Sequence, residues 1–280
     1  MSTLARIVTI GLLAVFLYRG SAQGQVDPWE FEVLPYATEQ RGTIECETNN
    51  AVVANGHSEG GTGTAAGSFR SQEMWYNAVE LTYGLTDRIE AAAYVTLAQP
   101  EGHGLWWAGN KLHLRGRLWR QGELPLDLGW YSALEWHKTP QFDNADLTLE
   151  LKPILEEDFG RMSLVLNPVF EKVLLGAGHD QGFAFGYRNG LYWSWRPWLS
   201  PGVEFYGGAG LIDDSDPLSR QQHYIFPVVQ GELWEGFEYN FGPGFGLTRG
   251  SDRVMMKFNL ALESFVGALF GPSPDSSSFR

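Results

Sequence analysis

Val254-Met-Met-Lys-Phe-Asn-Leu-Ala-Leu262 is the stretch whose reading decides the fold. Val254, Met256, Phe258, Leu260 and Leu262 share one face, while Lys257, Asn259 and, one step on, Glu263 share the other, with Ala261 between them. Successive side chains of a strand point to opposite faces, so a two-residue period predicts a strand with one apolar and one polar side. The same period recurs through the chain. Leu147, Leu149 and Leu151 oppose Asp146, Thr148, Glu150 and Lys152. Leu112, Leu114 and Leu118 oppose Lys111, His113, Arg115 and Arg117. Leu126, Leu128, Trp130, Leu134 and Trp136 oppose Asp127, Tyr131 and Glu135. Ile89, Ala91, Ala93, Val95 and Leu97 oppose Glu90, Tyr94 and Thr96.

Read this way, the chain holds about twelve strands, near 43–54, 73–83, 88–98, 109–120, 125–137, 145–155, 161–174, 183–195, 202–212, 223–233, 237–248 and 253–265. They are longer than the ~5–6 residues usual in soluble sheets. At ~3.3 Å per residue and a tilt near ~45°, about ten residues cross the ~25 Å apolar band of an outer membrane. The connections alternate between long (Asn55–Gln72, Gln99–Ala108, Lys138–Asn144, Leu175–Gly182, Asp213–Gln222) and short (Gly84–Asp87, Gln121–Leu124, Glu156–Gly160, Arg196–Pro201, Trp234–Gly236). The hairpin at Arg249–Asp252 falls on the long side but is itself short. Long loops outside and short turns in the periplasm are the habit of outer-membrane barrels. Trp119, Trp195, Trp198 and Trp234 fall near the short turns, and Trp106, Trp107 and Trp136 near the long loops. That placement suits two interfacial girdles. The predicted fold class is therefore all-β, a single antiparallel transmembrane barrel of about twelve strands. A soluble barrel with its apolar face inward also alternates. Strand length, loop asymmetry and the charge on the polar face favour the membrane form.

The chain has 280 residues and a formal net charge of −13, with 19% charged residues, 14% aromatics, 11 Trp and 34 Gly. This composition argues against disorder, and the acidity argues against nucleic acid as a partner. Arg6 followed by the apolar run Ile7–Tyr18, with Gly20 and Ala22 before a cut, predicts a signal peptide over 1–22. Residues 23–42 read as a periplasmic lead-in or an extra strand, 43–265 as the barrel and 266–280 as a flexible tail. The expected location is the bacterial outer membrane. The expected partners are its lipids, the barrel-assembly machinery during insertion, and small solutes.

The stretch Val79-Glu-Leu-Thr-Tyr-Gly-Leu-Thr-Asp-Arg-Ile-Glu90 resembles the strand–turn–strand hairpin of the outer-membrane barrels named for a MetA pathway of phenol degradation. The likeness is specific around Tyr83–Glu90, with Gly84 permitting a tight turn and Asp87 capping it. The resemblance implies a porin-like or small-solute transport role and brings no catalytic motif. Lys257-Phe-Asn-Leu-Ala-Leu-Glu-Ser-Phe265 is similar to the terminal strand read by barrel-assembly machinery, although here further residues follow it.

The residues expected to line the lumen are Glu80, Glu90, Lys111, His113, Arg115, Arg117, Asp127, Glu135, Glu150 and Glu263. Lys111, His113, Arg115 and Arg117 make a basic ladder facing Glu90, Asp127 and Glu135. It either sets a transverse field across a pore or fills a closed lumen with ion pairs. The Gly-rich Asn55–Gln72 loop is the expected gate. His57, His103, His137, His179 and His223 map to the long-loop side without ligand spacing, so no metal or other cofactor is expected. Cys46, the single cysteine, has no base near it in the sequence. Ser132 and His137 are the nearest approach to a hydrolase pair, without a nucleophile elbow. The leading expectation is thus a non-enzymatic, porin-like channel or transporter for small solutes, including hydrophobic or aromatic compounds. Behind it stand a non-conducting structural or surface-binding barrel and, last, an outer-membrane hydrolase.

Overall fold

A computed structural model describes residues 26–58, 69–137, 139, 141–142 and 145–266. The expected signal peptide and all but the first residue of the expected tail lie outside them. The twelve strands are β1 Thr43–Asn55, β2 Trp75–Gly84, β3 Ile89–Gln99, β4 Trp106–Arg117, β5 Asp127–His137, β6 Ala145–Phe159, β7 Met162–Gly176, β8 Ala184–Trp193, β9 Ser200–Leu211, β10 Gln222–Trp234, β11 Phe237–Gly246 and β12 Val254–Phe265. Each pairs antiparallel with its neighbours in sequence, and β1 pairs with β12 to close the barrel. Closure leaves no strand edge, which a lipid environment requires.

The apolar faces point outward. Leu81, Val95, Leu112, Leu114, Leu134, Leu191, Phe241, Leu260 and Leu262 are all exposed, Leu81, Leu112 and Leu262 by more than half. A soluble protein does not leave so continuous an aliphatic belt in water. The inward faces carry the charge: Lys111, Lys152, Lys257, Glu150 and Glu204 are at most 1% exposed. The alternation thus resolves as apolar-out, and a closed barrel with such a belt is the architecture of the bacterial outer membrane. Trp106, Trp107 and Trp136 at one end and Trp195, Trp198 and Trp234 at the other are exposed. Trp119 is only half-buried and turns its peptide group to the Tyr36 hydroxyl instead.

Two features depart from the expected rhythm. The β4–β5 connection, 118–126, is longer than the β3–β4 connection, 100–105, reversing the expected alternation at that pair. The longer turn folds back on itself: Leu118 bonds to Leu128, Gly122 donates to the Asp127 carboxylate, and Trp119 reaches Tyr36. The hairpin that resembles a known family also works differently from its sequence reading. Gly84 is absent from the positive-φ glycines, and a Cβ there would overlap the carbonyl of Gln40. Gly84 therefore serves the close approach of a second backbone rather than the turn. The cap is the Thr86 hydroxyl, which accepts from Arg88 and Ile89 at 3.1 and 3.0 Å. Asp87 instead offers its carbonyl to Arg117.

Candidate functional site

The backbone that crosses Gly84 belongs to residues 26–42, which form no strand. They run inside the barrel, with Val26, Trp29, Glu30, Phe31, Val33, Leu34 and Tyr36 all buried. The segment is therefore neither a lead-in outside the barrel nor an extra strand of the wall. Pro28 and Pro35 bracket its centre and cannot donate to a ladder. A buried peptide group still needs a partner, and inward-facing side chains of the wall supply them.

Val26 N–H donates to Gln222 at 2.7 Å. The Phe31 carbonyl accepts from Lys257 at 3.0 Å and Asn259 at 3.1 Å. Asn167 imitates a strand partner for Leu34, accepting from its N–H at 2.8 Å and donating to its carbonyl at 3.1 Å. Tyr36 N–H donates to Glu156 at 2.7 Å, and Glu39 N–H to Glu90 at 2.6 Å.

At mid-lumen the segment supplies an acid. Glu30, 1% exposed, pairs with Lys111 of β4, with Lys152 of β6 at 3.2 Å and with Arg188 of β8 at 2.6 Å. Glu150 completes the cluster, 2.5 Å from Lys152 and 3.3 Å from Lys111. Buried charges persist only when paired in this way. Toward the long-loop end the lumen is aromatic. Phe31 sits among Tyr206, Tyr224 and Phe226, with ring centroids 5.1, 5.5 and 5.0 Å away. Trp29 meets Tyr76 and Phe142 edge-on at 5.1 and 5.8 Å, and its indole N–H donates to the Leu97 carbonyl. Toward the short-turn end a vestibule of about 500 Å³ opens beside the segment, lined by Glu32, Glu39, Glu45, Glu47 and Arg115 among others. Burial, with Glu263 and Glu90 nearby, pushes the Glu39 carboxyl up to about 7.

Of the residues expected to line the lumen, Glu80, Glu90, Lys111, His113, Arg115, Glu135 and Glu150 are buried on inward faces. Asp127 is buried at the short-turn end, accepting from Gly122 at 2.9 and 3.1 Å. Arg117 and Glu263 sit at the rim. Arg117 is spent on the Asp87 carbonyl, and the Glu263 side chain is exposed. The basic ladder does not face acids across a bore. Arg115 pairs with Glu90 at 2.5 Å and Lys111 with Glu135 at 3.5 Å, and each pair joins register partners on adjacent strands. The acid that does reach across, Glu30, was hidden in a segment with no strand partner. Lys152, Arg188 and Lys257 were the available signal: mid-strand cations on inward faces, each demanding a buried counter-charge.

The expected gate lies in part outside the described residues. At its described ends, His57 N–H donates to the Ser71 hydroxyl at 2.8 Å, and Phe69 packs on Phe142. The mouth histidines with described side chains do not converge. His57, His103 and His179 each meet a nearby carbonyl, and His223 meets Tyr187 and Gln221. Ser132 lies on the outward face with Leu134 and Trp136, away from the lumen.

No family model and no curated protein matches the chain by sequence. Among solved structures, it is similar to the COG4313 outer membrane channel from Pseudomonas putida F1 at 14% identity and a TM-score of 0.54, covering 86% of this chain and 100% of that one. The CymD monoaromatic hydrocarbon channel aligns at 8% identity and a TM-score of 0.41, over 88% of this chain and 94% of that one. Omp33 of Acinetobacter baumannii aligns at 9% identity and a TM-score of 0.37, over 81% and 100%. The first of these likenesses shows that the fold is that of an outer-membrane barrel.

Proposed function

We propose that this barrel admits small solutes across the outer membrane through a lumen that its own residues 26–42 occlude and release. The observation that carries the reading is how the segment is held. The wall closes by its own ladder, while the segment is fixed by side-chain hydrogen bonds and by Glu30. The two can separate without opening the barrel. A 500 Å³ vestibule already leads to the segment from the short-turn side. In this reading Glu80, Glu90, Lys111, His113, Arg115, Glu135 and Glu150 line the path once the segment moves. Asp127, Arg117 and Glu263 mark its periplasmic rim. The aromatic ring of Tyr206, Tyr224 and Phe226 around Phe31 suits apolar or aromatic solutes, since a π-face accepts another ring edge-on or tilted. Lipids surround the belt, and the barrel-assembly machinery inserts the strands. The role is transport, with no chemistry performed on the solute.

The same Glu30 cluster favours a second reading, a barrel permanently filled and non-conducting. Planar-bilayer recording of refolded protein separates the two. The transport reading expects small discrete steps that enlarge when residues 26–42 are deleted. Silence from inserted, folded protein with and without the segment refutes it and leaves the filled barrel.

A further inference from the structure

Three carboxylates meet in the lumen with no lysine or arginine ion-paired to them among the described residues. Glu47 of β1 and Glu80 of β2 are register partners, directly opposite one another on the inner face. Glu32 of the internal segment joins them, so that one oxygen from each lies within 4.8 Å of the others. Arg115, the cation in the same vestibule, is engaged by Glu90 at 2.5 Å. Like charges packed this closely at low dielectric repel strongly.

Two further buried polar groups stand beside the cluster. Asn49 is 1% exposed, and neither its side-chain oxygen nor its nitrogen has a hydrogen-bond partner. It stands two residues from Glu47 on the inner face of β1, opposite Ala78, itself two residues from Glu80. His113 is 4% exposed, and both its ring nitrogens also lack a hydrogen bond. Its Nδ1 is 3.8 Å from Glu80 Oε1, and its Nε2 is 3.8 Å from Glu90 Oε1 on the other side. Orphaned buried polar groups are rare and call for an explanation.

We propose that Glu32, Glu47 and Glu80 bind a hard divalent cation of the calcium class, which ties the internal segment to the barrel wall. Calcium takes oxygen ligands at about 2.3–2.6 Å, so ligands on opposite sides of the ion stand about 5 Å apart. The three carboxylate oxygens fall inside that span, and the Asn49 carbonyl offers a fourth oxygen. Two ligands belong to the wall and one to the segment. The ion therefore acts as a latch, and its removal loosens residues 26–42 while leaving the ladder intact.

The test is calcium titration calorimetry on the chelator-treated, refolded full chain in detergent, with hydrogen exchange of residues 26–40 as the second readout. It does not depend on conductance, so its failure leaves the transport reading standing. One saturable site is expected. Its affinity falls at least tenfold in Glu32→Gln and in the Glu47→Gln, Glu80→Gln double variant, and stays unchanged in Glu123→Gln on an exposed turn. Calcium slows exchange in the segment of the native chain but not in Glu32→Gln. Should the double variant fail to fold, Glu32→Gln tests the site alone, because it alters no wall residue. Absence of saturable binding overturns the proposal. So does binding unaffected by Glu32→Gln, which places the ion on loop acids. Binding of zinc without calcium also overturns it, assigning the pocket to His113.

Discussion

Replacing Glu30 with alanine removes the carboxylate of the internal segment that pairs with all three of Lys111, Lys152 and Arg188. Taking away one partner of a buried ion pair costs about 3–5 kcal/mol. The cations are not equally stranded. Lys111 keeps Asp27 and Glu135, each at 3.5 Å, and Glu150 at 3.3 Å, and Lys152 keeps Glu150 at 2.5 Å. Among the described residues Arg188 keeps only Glu150, at 3.8 Å. The residual pairing puts the loss near the low end, about 3 kcal/mol, which shifts segment docking roughly a hundredfold toward release. The wall retains every ladder bond, so the protein still folds and inserts. Hydrogen exchange of residues 26–40 should accelerate by about that factor, and bilayer recordings should show larger or more frequent openings. A folded Glu30→Ala variant with native exchange and native conductance would refute the idea that this cluster holds the segment.

Asn167→Ala strips both bonds from Leu34. Each buried group left unsatisfied costs about 1–3 kcal/mol, so exchange at the Leu34 amide should rise more than at Val26, and equal protection would argue against the contact. Gly84→Ala drives a methyl into the Gln40 carbonyl; overpacking of this kind costs about 1–3 kcal/mol, read as a lowered melting midpoint. The Glu39 carboxyl, held at about 7 mainly by burial, with Glu263 and Glu90 adding to it, makes docking pH-dependent. Its pKa is raised in the folded state, so the folded protein keeps a proton that the free segment loses, and docking weakens as pH climbs from about 4.5 to about 7. Segment exchange measured across that window should quicken in the native chain, and in Glu39→Gln the dependence should flatten; a steep profile persisting in the variant would assign it elsewhere.

The wall was legible because each strand carries its own signature. In Asp146–Lys152 four polar and three leucine positions alternate without a break, and from Thr148 onward the register of β6 on β5 follows that pattern, while a bulge at Ala145–Thr148 turns Asp146 outward. Where prolines intervene, the pattern survived and the ladder did not. Pro153 and Pro168 meet between the pairs Leu151↔Phe170 and Leu155↔Leu166, and Pro227 and Pro243 meet between Ile225↔Phe245 and Val229↔Phe241. Neither member of such a pair can donate, a property of partners that no single strand displays. The internal segment escaped for a related reason. Trp29, Phe31 and Val33 alternate with Glu30 and Glu32 as a strand would. Its partners, however, are side chains of β6, β7, β10 and β12 far away in the chain, and alternation says nothing of them.

The inner charges gain a second meaning from this arrangement. Lys257 shows it best: its ammonium is fully buried, pairs with Glu204, and still donates to the Phe31 carbonyl. Glu204 in turn accepts from Tyr206 at 2.6 Å, from Tyr192 at 2.9 Å and from Asn240 at 2.8 Å. This network is complete within the wall, so Lys257 loses one neutral bond when the segment leaves, and no counter-ion. Arg188 loses its principal partner at the same moment. The cost of opening is therefore concentrated at Glu30 and, if the cation latch holds, at Glu32. Both acids stand on one short segment, and Arg188 and the Glu47–Glu80 pair are the wall groups that its departure leaves unanswered.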